Sequence, residues 1–334
     1  MSITVIKPGL QSSLQDLGRY GYQHLGVPVS GAMDTRAHRL ANLMAGNTDD
    51  CATLEVTLTG PTLAFHITTC IAISGAALSP TINSHPVPNN RPIIVKAGDQ
   101  LAFGRCQNGL RAYVAVTGGF AVPPVMGSAS TYLRGGFGGL QGRALRADDQ
   151  LSVHETLTTN SPQVLADKLW QIKLYLPAIL GLGTRSDVRT IRGPHANLYT
   201  PESLAALFGS EYRIEPESER MGYRLKGPTL AMTDPQQLLS EATSFGAIQV
   251  PPDGMPIILM ADRQTTGGYP KVGHVCTADL PLVAQSAPGQ TLTLQEISLA
   301  RAQQLDNQRE EAFGRLSQNL QQVRDALAPY RNKL

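Results

Sequence analysis

The chain has 334 residues, 42% of them hydrophobic and 16% charged, with a formal net charge of +2. That composition suits a soluble protein of one large or two smaller domains, and its 28 basic residues are scattered rather than striped, which argues against a nucleic-acid partner. No apolar run approaches the roughly 18 residues of a membrane span, and four widely spaced cysteines without a C-x-x-C pair favour reduced thiols and a cytoplasmic location over disulfides or zinc.

The N-terminus starts at once with a strand-like alternation, Ser2-Ile3-Thr4-Val5-Ile6, and lacks the basic start and apolar stretch of a signal peptide. A polar cluster follows: Gln15-Asp16-Leu17-Gly18-Arg19-Tyr20-Gly21-Tyr22, then Gly31-Ala32-Met33-Asp34. Asp34 is the predicted N-cap of a short helix over residues 36–45, which carries Ala37, Leu40, Ala41 and Met44 at helical spacing and ends at Gly46-Asn47.

Short β-branched or alternating runs recur at 53–59, 71–74, 92–96 and 113–117, separated by Gly- and Pro-containing turns. The segment 135–143 holds five glycines and Arg143, but it does not match G-x-G-x-x-G and no convincing helix follows it. It reads as a glycine-rich hairpin, with backbone N–H groups that an anion can approach. Residues 156–162 read as a linker, after which strands resume at 172–175 and 188–192. Thr200-Pro201 predicts a second helix running to Gly209.

The apolar run 256–261 reads as a buried strand and empties into Asp262-Arg263-Gln264-Thr265-Thr266-Gly267-Gly268-Tyr269-Pro270. A turn needs only the glycines and the proline. The added carboxylate, guanidinium, amide, hydroxyls and phenol mark either a site or a loop that satisfies its own backbone. From 298 onward Phe313, Leu316, Leu320, Val323 and Leu327 recur at spacings of 3 and 4, which predicts a long amphipathic helix. Gly60-Pro61-Thr62-Leu63-Ala64 recurs as Gly227-Pro228-Thr229-Leu230-Ala231, and the turn before Leu101 resembles those before Leu151 and Leu292. These echoes suggest two related β domains. Expected boundaries are 1–155 for the first, 156–171 for a linker, 172–297 for the second and 298–334 for the helix.

Standard catalytic signatures are missing: there is no G-x-S-x-G, no H-E-x-x-H, no P-loop and no lysine flanked by methionines to carry biotin. The seven histidines are isolated, so no metal site is expected.

Taken together, Gln15-Asp16-x-Gly18-Arg19-x-Gly21, Gly31-Ala32-Met33-Asp34, Gly138-Gly139-x-x-Gly142-Arg143, Arg220-Met221-Gly222-Tyr223-Arg224-Leu225 and residues 264–270 closely resemble the allophanate hydrolase subunit 2 family. This family is also called the biotin-dependent carboxyltransferase or KipI antagonist (KipA) family, and the resemblance spans nearly the whole chain. It implies a mainly β fold of two tandem cyclophilin-like β-barrel domains with short helices and a long C-terminal helix.

The resemblance also implies partner subunits: one that is KipI-like and, in bacterial 5-oxoprolinase, a further one that is LamB/YcsF-like. That assembly uses ATP to open the lactam of 5-oxoproline to glutamate, with the ATP site shared with or held by the partner subunits. Two alternatives stay open: a carboxyltransferase half-site in a biotin-dependent urea carboxylase system, and a non-enzymatic KipA-type antagonist.

Lactam opening by phosphorylation needs cations and N–H donors for the transferred group, and a carboxylate to orient water. The catalytic candidates are Asp262, Gln264, Thr265, Thr266, Tyr269 and Asp34. The candidates for substrate or anion binding are Gly18, Arg19, Gly138, Gly139, Arg143, Arg220, Tyr223, Arg263, Gly267 and Gly268. These loops are expected to converge on one polar pocket.

Overall fold

The computed structural model describes residues 2–181, 185–234, 236 and 238–333. The chain is mainly β and divides into two compact units. One comprises Met1–Arg19, Ser30–Ala178 and Phe313–Leu334, and the other Tyr20–Val29 and Ile179–Ala312. Neither unit is a continuous stretch, in contrast to the four consecutive segments expected from sequence. The boundary falls inside the last long helix, and a ten-residue loop near the N-terminus counts with the second unit.

In the first unit, two antiparallel sheets enclose one core. The six-stranded sheet runs in the order Gln150–Ser152, Ser2–Lys7, Thr62–Phe65, Gln100–Ala102, Thr81–Ile82, His85–Pro86. The five-stranded sheet runs Gln11–Gln15, Thr53–Thr57, Asn108–Val116, Thr69–Ala77, Ile93–Val95. Ile3, Val5, Leu63 and Leu101 from one sheet meet Leu14, Leu54, Ile73 and Val114 from the other, all at most 1% exposed. Each such side chain contributes about 1.5–3 kcal/mol through burial.

The predicted first helix is present as Thr35–Met44, with the Asp34 carboxylate accepting from the Ala37 N–H. The expected linker is shorter than the sequence suggests. Glu155–Leu157 is a strand paired with Arg331–Lys333, and Pro162–Gln171 is a helix. The run 172–175 forms no strand. Phe313, Leu316, Leu320, Val323 and Leu327 are all buried as their spacing predicts, although the helix breaks at Leu320 into Leu299–Asn319 and Gln321–Leu327.

The second unit is a closed seven-stranded barrel. Its order is Asp187–Arg192, Lys271–Val275, Ala247–Gln249, Ile257–Leu259, Gly222–Lys226, Glu211–Ile214, Thr291–Glu296. The ring closes by parallel pairing of the first and last of these, with Val188 opposite Leu294. Closure removes unpaired edges, and alternate residues such as Tyr212, Ile214, Tyr223, Leu225, Leu292 and Leu294 fill the interior. The second predicted helix is Pro201–Gly209, capped by Thr200. All three similar turns do lead into strands, but the repeated pentapeptide does not fold alike in its two copies. Residues 62–65 form a strand, whereas 227–231 form none. No helix among the described residues is long and apolar enough to cross a membrane.

Candidate functional site

In the first unit the candidate residues are tied into the scaffold. The Asp16 carboxylate accepts from Gly18 N–H at 2.8 Å, Ala129 N–H at 2.6 Å and the hydroxyls of Ser128 and Ser130 at 2.7 and 2.5 Å. That fixes Gly18. Arg19, 1% exposed, donates to the Ser130 carbonyl and lies over the Phe137 ring, 4.9 Å from its centroid.

Gly138 and Gly139 are glycines for space as well as conformation. Both have positive φ, and a Cβ would lie 2.1 Å from Ser130 O at the first and 1.9 Å from Thr131 Oγ1 at the second. Two further loop amides bond internally, Gly136 to Tyr132 and Gly142 to Gly138. Arg143 forms a bidentate pair with Asp149 at 2.7 and 2.8 Å, and the Arg143 hydrogen bonds hold the Asp149 carboxyl below its usual range.

Asp34 is fully buried. Its Oδ1 accepts from Ala37 N–H at 2.8 Å and its Oδ2 from Arg36 at 3.1 Å, so both oxygens are engaged at the helix start. Beside it the Asp34 N–H donates to the Tyr113 hydroxyl, which donates to Glu55 Oε2 at 2.7 Å. Burial and the Glu55 charge push the Tyr113 phenol well above its ordinary pKa. The helix also carries His38, whose Nδ1 lies 2.8 Å from Thr53 Oγ1 and whose pKa burial lowers to about 4.

In the second unit, the turn after Ile257–Leu259 separates its polar groups by depth. Asp262 turns inward and meets Arg220, Nε to Oδ2 at 2.8 Å and Nη2 to Oδ1 at 3.0 Å. Tyr223 is 1% exposed in the barrel wall, opposite Ile258 in register. Gln264, Gly267 and Tyr269 cluster on one buried amide. The Gln249 Nε2 donates to the Tyr269 carbonyl at 3.4 Å, and its Oε1 accepts from Gln264 Nε2 at 3.0 Å. A main-chain carbonyl can only accept, so it fixes the orientation of both amides. Gly267 leaves room for them, since a Cβ there would lie 2.9 Å from Gln249 Nε2.

Thr266–Gly267 pairs with Glu241–Ala242, and Thr265 O accepts from Thr243 N–H. This strap is pinned by Lys271, whose Nζ donates to Ala242 O at 2.8 Å and pairs with Glu241 at 2.7 Å. The Lys271 hydrogen bond keeps the Glu241 carboxyl below its usual range. His195 Nδ1 accepts from the Lys271 N–H at 3.0 Å, which leaves a proton for Nε2, 3.4 Å from Glu241.

Gly268 and Tyr269 line a cleft of about 720 Å³ together with Tyr199, Leu230, Leu238 and Val250 among others. Gly268 lies against the segment that leads into the strap: a Cβ would come 3.0 Å from Leu238 O. Tyr269 is half exposed, and burial raises the Tyr199 phenol to about 12. The cleft is mostly apolar with a few polar groups at its edge, the usual character of a small-molecule site.

Gln249, Lys271, Glu241 and His195 lie outside the polar loops that the sequence marks. Gln249 alone carried a signal, as a single amide inside the apolar run Ala247-Ile248-Gln249-Val250. Among the described residues no group of three or more His, Cys, Asp or Glu is placed to hold a metal.

The family model for "carboxyltransferase domain, subdomain A and B" matches residues 25–296. The chain is 35% identical over 319 residues to the C subunit of 5-oxoprolinase from Escherichia coli, covering 95% of this chain and 98% of that one. It is 35% identical to the C subunit of 5-oxoprolinase from Haemophilus influenzae, covering 92% and 95%. The crystal structure of the Kluyveromyces lactis urea amidolyase superposes with a TM-score of 0.84 at 32% identity, covering 94% of this chain but only 20% of that one.

Proposed function

The chain belongs to the family of the carboxyltransferase domain, subdomain A and B, and on that premise we propose that it acts as the C subunit of an ATP-dependent 5-oxoprolinase. In this reading it works with two partner subunits, one KipI-like and one LamB/YcsF-like, to open a lactam to a free amino acid. The observation that carries it is the extent of the match. The 5-oxoprolinase relatives are matched nearly end to end, whereas the urea amidolyase is matched over a fifth of its length.

The cleft beside Gly268 and Tyr269 is the part of this chain that we assign to substrate. The aligned amides of Gln249 and Gln264 hold its rim, and the strap pinned by Lys271 holds the wall opposite Gly268. We assign no phosphate cradle to residues 135–143. Arg143 is committed to Asp149, and the Gly136 and Gly142 amides are bonded within the loop. ATP is therefore assigned to the assembly and its partner subunits.

The test mixes the purified chain with both partner subunits and measures ATP hydrolysis that depends on 5-oxoproline. Activity that does not need this chain rejects the reading. The likeness to urea amidolyase favours a second reading, a carboxyltransferase half-site acting with a biotinylated partner. Carboxyl transfer from carboxybiotin to an amide, without 5-oxoproline-dependent ATP hydrolysis, selects it.

A further inference from the structure

We propose that Arg263, with Tyr20, Ser244, Phe245 and His274 around it, forms a binding site for a small oxyanion, the carboxylate or phosphate group of a ligand. All five residues belong to the second unit. The inference does not depend on which amide the assembled protein uses.

Arg220 and Arg263 both adjoin Asp262, but Arg220 takes both carboxylate oxygens. Arg263 forms no ion pair among the described residues. Its contacts are a long hydrogen bond from Nη1 to the Met260 carbonyl, 3.4 Å, and the face of Phe245, 5.7 Å from the ring centroid. Its Nε is buried with no acceptor in reach. A half-buried guanidinium whose charge no carboxylate pairs and whose Nε–H is unanswered is costly by itself, and an oxyanion at its terminal nitrogens would offset that cost.

The neighbours fit an anion as well. Ser244 and Phe245 are consecutive: one contacts His274 and the other Arg263. His274 Nδ1 donates to the Val275 carbonyl at 2.9 Å, so Nε2 faces the Ser244 hydroxyl at 3.0 Å as an acceptor. Burial, and then the charge of Arg263, lower the His274 pKa, so the imidazole stays neutral and leaves the positive charge on Arg263. Burial likewise lowers the Arg263 pKa, and the groups acting the other way are Tyr20 and the already paired Asp262. Tyr20 is 67% exposed, and its phenol is close enough to act on the Arg263 charge. The site thus offers the Arg263 guanidinium over the Phe245 ring, one positive charge that no carboxylate pairs among the described residues.

The experiment titrates the full-length chain with sodium phosphate and, separately, sodium acetate at constant ionic strength. It follows the His274 ring resonances by NMR and the binding heat by calorimetry. Saturable movement of the His274 signals is expected with at least one anion. Phosphate alone assigns a phosphoryl group, and acetate alone a carboxylate. Arg263→Gln should weaken binding about tenfold or more, as loss of a charge-assisted pair does. Tyr20→Phe, at an exposed position, should weaken it severalfold. If Arg263→Gln does not fold, Arg263→Lys replaces it: the charge stays but the fork is lost, and weaker binding is again expected. No saturable shift with either anion, or equal binding in the wild-type and variant chains, overturns the site.

Discussion

Arg220 and Asp262 form a bidentate ion pair with only 6% and 5% of their side chains exposed. The pair pins Arg220, two residues ahead of the strand Gly222–Lys226, to the turn after Ile257–Leu259, and the Asp262 N–H to Arg220 carbonyl bond doubles the link. A carboxylate held this way is a structural clamp before it is a base. Removing one partner leaves a buried charge uncompensated. Asp262→Ala is therefore expected to destabilise the protein by about 3–5 kcal/mol in chemical denaturation. The double variant Arg220→Met, Asp262→Leu should recover most of that loss. A single variant as stable as the wild type would show that the pair is not the clamp described.

Gln249 reaches the cleft only through its neighbours. Gln249→Leu keeps the volume but removes the acceptor of Gln264 and the donor to Tyr269. Two half-satisfied partners predict a stability loss of about 1–3 kcal/mol. On the proposed function, the larger effect is expected in the assembled complex, as a raised KM for the amide substrate, with Gln249→Glu keeping only the acceptor and falling between. Unchanged KM in Gln249→Leu would separate this amide pair from substrate binding.

Asp34 offers a clean distinction between a cap and a base. Serine can cap a helix but cannot act as a carboxylate. On the proposed function, Asp34→Ser should keep the turnover of the assembled complex, whereas Asp34→Ala should lose about 1 kcal/mol or more of stability with the same intrinsic turnover. Loss of turnover in Asp34→Ser, at unchanged stability, would return Asp34 to the chemistry.

Elements with a local signal were legible in the sequence. Asp34 and Thr200 announced their helices because capping is a matter of a few consecutive residues. The five apolar residues from Phe313 to Leu327 announced a buried face because helical spacing is periodic. The site was legible only as a set of polar loops. Nothing in the spacing distinguishes Asp262, locked by a residue 42 positions away, from Tyr269, which faces the cleft. The Lys271–Glu241–His195 cluster was invisible for the same reason: it is built from three segments that only the barrel brings together. The repeated pentapeptide differs locally in its two copies: one lies in a sheet, and Thr229, Leu230 and Ala231 of the other line the cleft.

The pH dependence of stability should carry the signature of His38. Its folded pKa is about 4 against 6.5 for the unperturbed side chain, and burial is the main cause. Between those values the unfolded chain binds a proton that the folded chain refuses. Stability therefore falls as pH drops from about 6.5 to about 4, by up to about 1.4 kcal/mol per unit and about 3 kcal/mol in total, and this group contributes no slope outside that window. His274, also lowered by burial, adds in the same direction. Asp149, Glu241 and Asp279 have lowered carboxyl pKa values, so their stabilisation is lost at more acid pH, as they protonate below the ordinary carboxylate range. Urea unfolding at half-unit pH steps should show the fall, and His38→Gln should flatten most of it while keeping polar contact with Thr53. A His38→Gln chain with the full slope would assign the acid sensitivity elsewhere.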